Sequence, residues 1–149
     1  MAHKGYHSIF ITLSCVLLTL LFVYTAVSKL QHLDLFLGRL ERMPFIAPFA
    51  SLISWMVPLL ELVITGLLWF PKYRKLALQA TLVLLGLFTA YIGIVLTYSD
   101  SIPCSCGGVI SALGWRDHIL FNATFMLMTF LGIIWHKKDH NIQTYQNTT

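Results

Sequence analysis

A chain of 149 residues that is 57% hydrophobic and only 11% charged, with a mean hydropathy of +0.75, carries too much apolar surface for one soluble domain. The net charge of +4 and the pI near 9.1 do not mark a nucleic-acid binder. The basic residues stand in short clusters at the ends of apolar runs, the placement that orients membrane proteins. The class expected is an all-α, polytopic membrane protein.

A helical crossing of a bilayer takes about 20 residues. Four runs reach that length, at about residues 8–28, 49–70, 76–98 and 118–135, so a four-transmembrane-helix bundle is predicted. The first run follows Lys4 and ends in "AVSKL". A cleaved signal peptide is one reading of it. The apolar stretch is long for that role, and its removal would leave an odd number of spans, so a retained helix is expected. Cys15 lies inside this helix and reads as a buried membrane cysteine.

At the helix exit Thr25, Lys29 and His32 recur at i, i+4 and i+7, which predicts one shared face. Lys29 has two readings. It either snorkels to the interface, or it lowers a thiol pKa or holds an acidic group of a quinone or partner. Leu30, Leu33, Leu37 and Leu40 then form a helical stripe along Lys29–Met43, suited to docking on a membrane surface.

In the second run Pro58 is tolerable, because membrane helices accept a kink whose freed groups neighbours re-satisfy. Glu61 is the single carboxylate inside a predicted span. Such a group is costly in hydrocarbon and marks a proton relay, a partner for a cation, or a protonated side chain bonded to the next helix. Trp69, Tyr73, Tyr98, Trp115 and Trp135 mark span ends at headgroup depth.

Between the third and fourth runs stands "IPCSCGGVI", residues 102–110. Asp117 is an N-cap candidate for the fourth helix. His118 and Asn122 follow one turn apart, beside the cysteine loop in sequence. A histidine there can accept a thiol proton or serve only as interfacial polarity. His3/His7 and His136/His140 repeat at a spacing that zinc uses. With no carboxylate pattern nearby, no metal site is expected. Residues 1–138 form the membrane domain, and the polar tail 139–149 is predicted to be disordered and cytoplasmic.

Orientation follows from the basic residues. Six of them (Lys4, Lys72, Arg74, Lys75, Lys137, Lys138) fall at the termini and in the second loop, against four (Lys29, Arg39, Arg42, Arg116) in the first and third loops. Both termini are thus expected in the cytoplasm, with the cysteine loop facing the periplasm, where disulfides persist. Two residues of extended chain span up to about 7 Å, at or beyond the reach of a disulfide. A Cys104–Cys106 bridge therefore needs the bend that Pro103, Ser105, Gly107 and Gly108 favour. Closing so small a ring removes little chain entropy, which makes it a poor staple and a labile bond. A redox pair, an inert turn or static bridge, and a metal ligand pair remain the readings, in that order of preference.

"FVYTAVSKLQHLDLF", "VPLLELVITGLL", "FTAYIGIVL" and "IPCSCGG" followed by "WRDHILFN" together resemble the MauE/DoxX-like family of redox-associated membrane proteins, in the same order from about residue 20 to 125. The resemblance implies a small four-helix membrane bundle. It implies a part in forming or maintaining periplasmic disulfides, often beside a thioredoxin-like partner, during maturation of methylamine dehydrogenase. Carried onto this chain, it implies functional roles for Cys104, Cys106, Lys29 in "SKL" and Glu61 in "LEL". MauE proper tends to read CxCFG where this chain has Cys104-Ser105-Cys106-Gly107-Gly108.

The expected function is thiol–disulfide exchange at the outer face of a bacterial inner membrane, by Cys104 and Cys106 with a periplasmic thioredoxin-like or cysteine-containing partner. Lys29, Glu61, His118 and Asn122 are the supporting residues, and a quinone is the candidate cofactor. The rival is a non-catalytic scaffold or assembly subunit. A transporter built on Glu61 is a third class, disfavoured by four spans without repeats.

Overall fold

The computed structural model describes residues 2–98 and 115–147. Cys104 and Cys106, and the loop that carries them, lie outside the described residues, as do the side chains of His3, His7, His136 and His140. The elements run α1 (Ala2–Gln31), α2 (Leu33–Leu40), a 3₁₀ turn (Ala47–Phe49), α3 (Ala50–Trp69), α4 (Arg74–Tyr98) and α5 (Trp115–Asn147). Four of these helices are long and apolar enough to cross a membrane, over Ser8–Gln31, Ala47–Trp69, Arg74–Thr97 and Asp117–Trp135. In hydrocarbon every backbone N–H and C=O must be met within the segment, which is why these runs are helical throughout.

The helices distribute their side chains in a way that fits lipid. Leu13, Leu20, Leu59, Val63, Val83, Leu87 and Leu127 are exposed, whereas Ser14, Thr25, Lys29, Ser54, Glu61, Thr65, Thr81, His118, Asn122 and Thr129 are buried. Polar groups thus turn inward and hydrocarbon turns out. Several hydroxyls at helix positions bond back to their own turn, as Thr65 does to the Glu61 carbonyl at 2.9 Å and Thr129 to that of Phe125 at 2.7 Å.

Chain breaks have local causes. Pro71 follows Phe70, whose extended ψ of 114° is what a residue before proline prefers, and α3 ends there. The Arg74 side chain then donates to the Leu68 carbonyl at 3.4 Å, meeting one of the orphan acceptors of that helix end. Pro58 sits buried inside α3 without ending it.

Two features differ from expectation. Part of the stripe along Lys29–Met43 faces the bundle: Leu40 is buried and Leu37 packs beside it, whereas Leu30 and Leu33 are half-buried. Phe36, Leu40 and Met43 are buried against Ala50, with Leu37, Ile46, Ile53 and Tyr91 packed around them. The polar tail is also helical to Asn147. No Gly or Pro interrupts residues 136–147, and extending a nucleated helix adds a hydrogen bond for each residue fixed.

Toward the end of the bundle that holds both termini, Ile11, Cys15, Leu18, Phe22, Ile64, Leu68, Ala77, Leu78 and Leu84 form a close-packed core. Phe10 and Trp135 close it with an edge-to-face contact at 4.4 Å between ring centroids. Cys15 is buried here, as expected.

Candidate functional site

The other half of the bundle is hollow. A cavity of about 410 Å³ lies among all five helices, within the range of small-molecule sites. Its walls are mainly hydrocarbon: Leu21 and Phe22 of α1, Ile53 and Val57 of α3, Leu84, Leu85 and Phe88 of α4, and Phe121 of α5. Thr25, Lys29, Glu61, Tyr91, His118 and Asn122 supply its polar groups.

Lys29 and Glu61 form the centre. The Lys29 Nζ donates to Glu61 Oε1 at 2.5 Å, and the two side chains are only 5% and 3% exposed. Insertion scales put an isolated Lys or Asp at the centre of a membrane helix at about 2.5–3.5 kcal/mol, and pairing offsets that cost. Lys29 therefore does not snorkel; it turns into the bundle. The second carboxylate oxygen, Oε2, is buried with no hydrogen bond of full geometry among the described residues, and the Thr25 side chain is the neighbour close enough to interact with the carboxylate. A buried acceptor left unmet costs about 1–3 kcal/mol, so this atom is poised to take a donor.

The remaining elements frame this pair. From α2, Phe36 places its ring 5.9 Å from the Lys29 ammonium, within cation–π range. Thr25, one turn before Lys29, is buried and donates to the Phe22 carbonyl at 3.2 Å. His118 of α5 is buried and lines the same chamber as Lys29. Asn122 Nδ2 donates to Thr89 Oγ1 at 3.3 Å, which ties α5 to α4. The Tyr91 hydroxyl donates to the Pro44 carbonyl at 2.9 Å and fastens the segment after α2 over the cavity. Within that segment Phe45 has φ 67°, a left-handed conformation that a bulky residue rarely adopts.

Four sequence-predicted residues, Lys29, Glu61, His118 and Asn122, thus meet at one cavity. His32 does not join them. The α1 helix stops at Gln31, His32 takes φ −121° and ψ 45°, and its side chain is exposed, so the i+7 relation is lost. Sequence reasoning missed the partnership of Lys29 with Glu61, although each is the only charged residue in its span. It also missed Tyr91, whose signal was a phenol in the body of a span instead of at its edge, and Phe36. Among the described residues no group of three His, Cys, Asp or Glu could hold a metal ion.

Chemically, the arrangement offers one ammonium donor and one carboxylate acceptor at the head of a chamber with mainly apolar walls. It can hold the polar end of a lipophilic molecule, and it can pass a proton within the pair. The connection 99–114 joins α4 to α5, and Val95 before it and His118 after it both line the chamber.

A family model described as methylamine utilisation protein MauE matches residues 7–135, and the chain belongs to this family of membrane proteins. Neither a curated protein nor a solved structure matches it.

Proposed function

We propose that this MauE-family membrane protein carries out thiol–disulfide exchange at the face bearing residues 99–114, with Cys104 and Cys106 as the reacting pair. The partner is a thioredoxin-like or other cysteine-containing protein on the periplasmic side of a bacterial inner membrane, both termini being cytoplasmic. The observation that carries this reading is the buried Lys29–Glu61 pair in a chamber lined by α4 and α5, the two helices that the cysteine segment connects in sequence.

In the exchange, one thiolate attacks a disulfide sulfur and forms a mixed disulfide, which the second cysteine resolves. Oxidising the Cys104–Cys106 dithiol forms one S–S bond and releases two electrons and two protons. A quinone is the acceptor class that balances this step, taking both electrons and both protons to become a quinol. The unmet Glu61 Oε2 and the Lys29 ammonium suit its oxygens: Lys29 donates to a carbonyl oxygen, and Glu61 accepts from a hydroxyl. His118, at the start of α5, stands between the chamber and the cysteine segment in sequence and is the candidate to take a thiol proton.

Cysteine trapping tests the reading. Cys104→Ser should leave Cys106 to attack without a resolver, giving a higher-mass species on non-reducing gels that dithiothreitol collapses. The Cys104→Ser/Cys106→Ser double variant should give none and should lose function. A fully functional double variant sinks the exchange reading and leaves the protein a scaffold for its partner.

A further inference from the structure

The chamber is not fully enclosed, and the exposure of its lining residues bears on where a molecule could enter. Of the residues that line it, Leu87 of α4 is 65% exposed, whereas the contributions of α1 and α2 are buried or nearly so. Ile53 and Val57 of α3 and Phe88 of α4 are partly exposed lining residues that flank the same seam. The α3 and α4 helices are joined by the short turn Phe70–Tyr73 at the end away from the chamber. Leu87 lies near the middle of the span Arg74–Thr97, and Glu61 near the middle of Ala47–Trp69. The exposed lining at Leu87 therefore lies at the depth of hydrocarbon. Over the end of the chamber nearest water, α2 and the Tyr91–Pro44 bond form a cover.

We infer that the chamber is a binding site for the head of a neutral, chain-bearing lipophile, which enters laterally from the bilayer through the α3–α4 seam at Leu87. A volume of about 410 Å³ accommodates a ring and a short length of tail but not a whole lipid, so the rest of the tail must leave through the same window. The head needs both a hydrogen-bond acceptor for Lys29 and, in one of its states, a donor for Glu61 Oε2. It carries no net charge, because the paired lysine and glutamate leave the chamber neutral. Identifying this lipophile as a quinone rests on the function proposed above; the lateral route does not depend on the cysteines.

The test uses the full chain as the Cys104→Ser/Cys106→Ser variant in lipid nanodiscs, so that loss of exchange chemistry cannot affect the outcome. The probe is an azido-benzoquinone carrying an isoprenoid tail, photolysed and mapped by peptide mass spectrometry. Labels are expected on the α3 and α4 walls of the chamber. Leu87→Trp should cut labelling by at least about tenfold by plugging the window. Val83→Trp, one turn away, exposed and outside the chamber, should change it by less than about twofold. A sulfonated, tail-less benzoquinone added in water should not protect. Undiminished labelling in Leu87→Trp, equal loss in Val83→Trp, or full protection by the sulfonated compound would each overturn lateral entry. Labels scattered over the lipid-facing surface would overturn the site itself.

Discussion

The same four helices fill one half of the bundle and leave the other open. Toward the termini, Leu18, Ala77 and Leu78 are completely buried and packed side chain against side chain. Toward the C-terminal end of α4 and the start of α5, α1, α3, α4 and α5 stand around a chamber whose central polar contact among the described residues is one ion pair. In lipid there is no hydrophobic gain from bringing helices together, so association rests on packing and on polar contacts. The packed half supplies the first and holds the bundle together. That leaves the open half free to hold a cavity and a buried charge pair.

The largest effect should come from splitting the pair. Lys29→Met or Glu61→Gln alone leaves a charge buried without its counterpart, a loss of about 3–5 kcal/mol. Combining them removes both charges, and stability in a detergent unfolding titration should return to within about 1 kcal/mol of wild type, since a buried pair is roughly balanced by an apolar replacement. Function should not return. A double variant that regains exchange would make the pair a structural device and erase the contrast between the halves.

Next in size is Leu18→Ala, which opens a void in the packed half and should cost about 2–3 kcal/mol, toward the lower end for such substitutions because only packing is lost in lipid. Probe labelling of the chamber should be unchanged. Tyr91→Phe removes the hydroxyl that holds Pro44 and should cost about 0.5–1.5 kcal/mol, while hydrogen exchange of residues 41–47 speeds up. The smallest loss should come from Val57→Ala, less than about 1 kcal/mol, because this partly exposed side chain already borders empty space and its truncation only widens it. If Val57→Ala costs as much as Leu18→Ala in the same titration, the chamber wall is as closely packed as the core and the two halves do not differ.

Legibility in the sequence varied with the range of the interaction. The four spans came within a few residues of their observed bounds, and Glu61, Lys29, His118 and Asn122 stood out because polar groups inside apolar runs have few ordinary reasons to be there. The destination of each was a different matter. Lys29 at a helix exit looks the same in sequence whether it rises to the headgroups or turns inward, and the choice depends on a carboxylate 32 positions away. The stripe in α2 was equally ambiguous, since an apolar face suits a bilayer surface or a bundle. Tyr91 carried no local signal of its bond to Pro44, which joins residues 47 apart.

By itself, then, the sequence determined which segments cross the membrane, that they are helical, and which few residues are too polar to be there without purpose. Each of these is a sum over neighbouring residues: the free energy of moving one stretch of chain into hydrocarbon, with its backbone closed on itself. Only the tertiary structure decided that Lys29 meets Glu61, that α2 closes over them, and that His118 and Asn122 face the same chamber. Those outcomes depend on how far each helix rotates and which faces meet, and in a medium where hydrocarbon is the solvent, apolar patterning alone does not select a face.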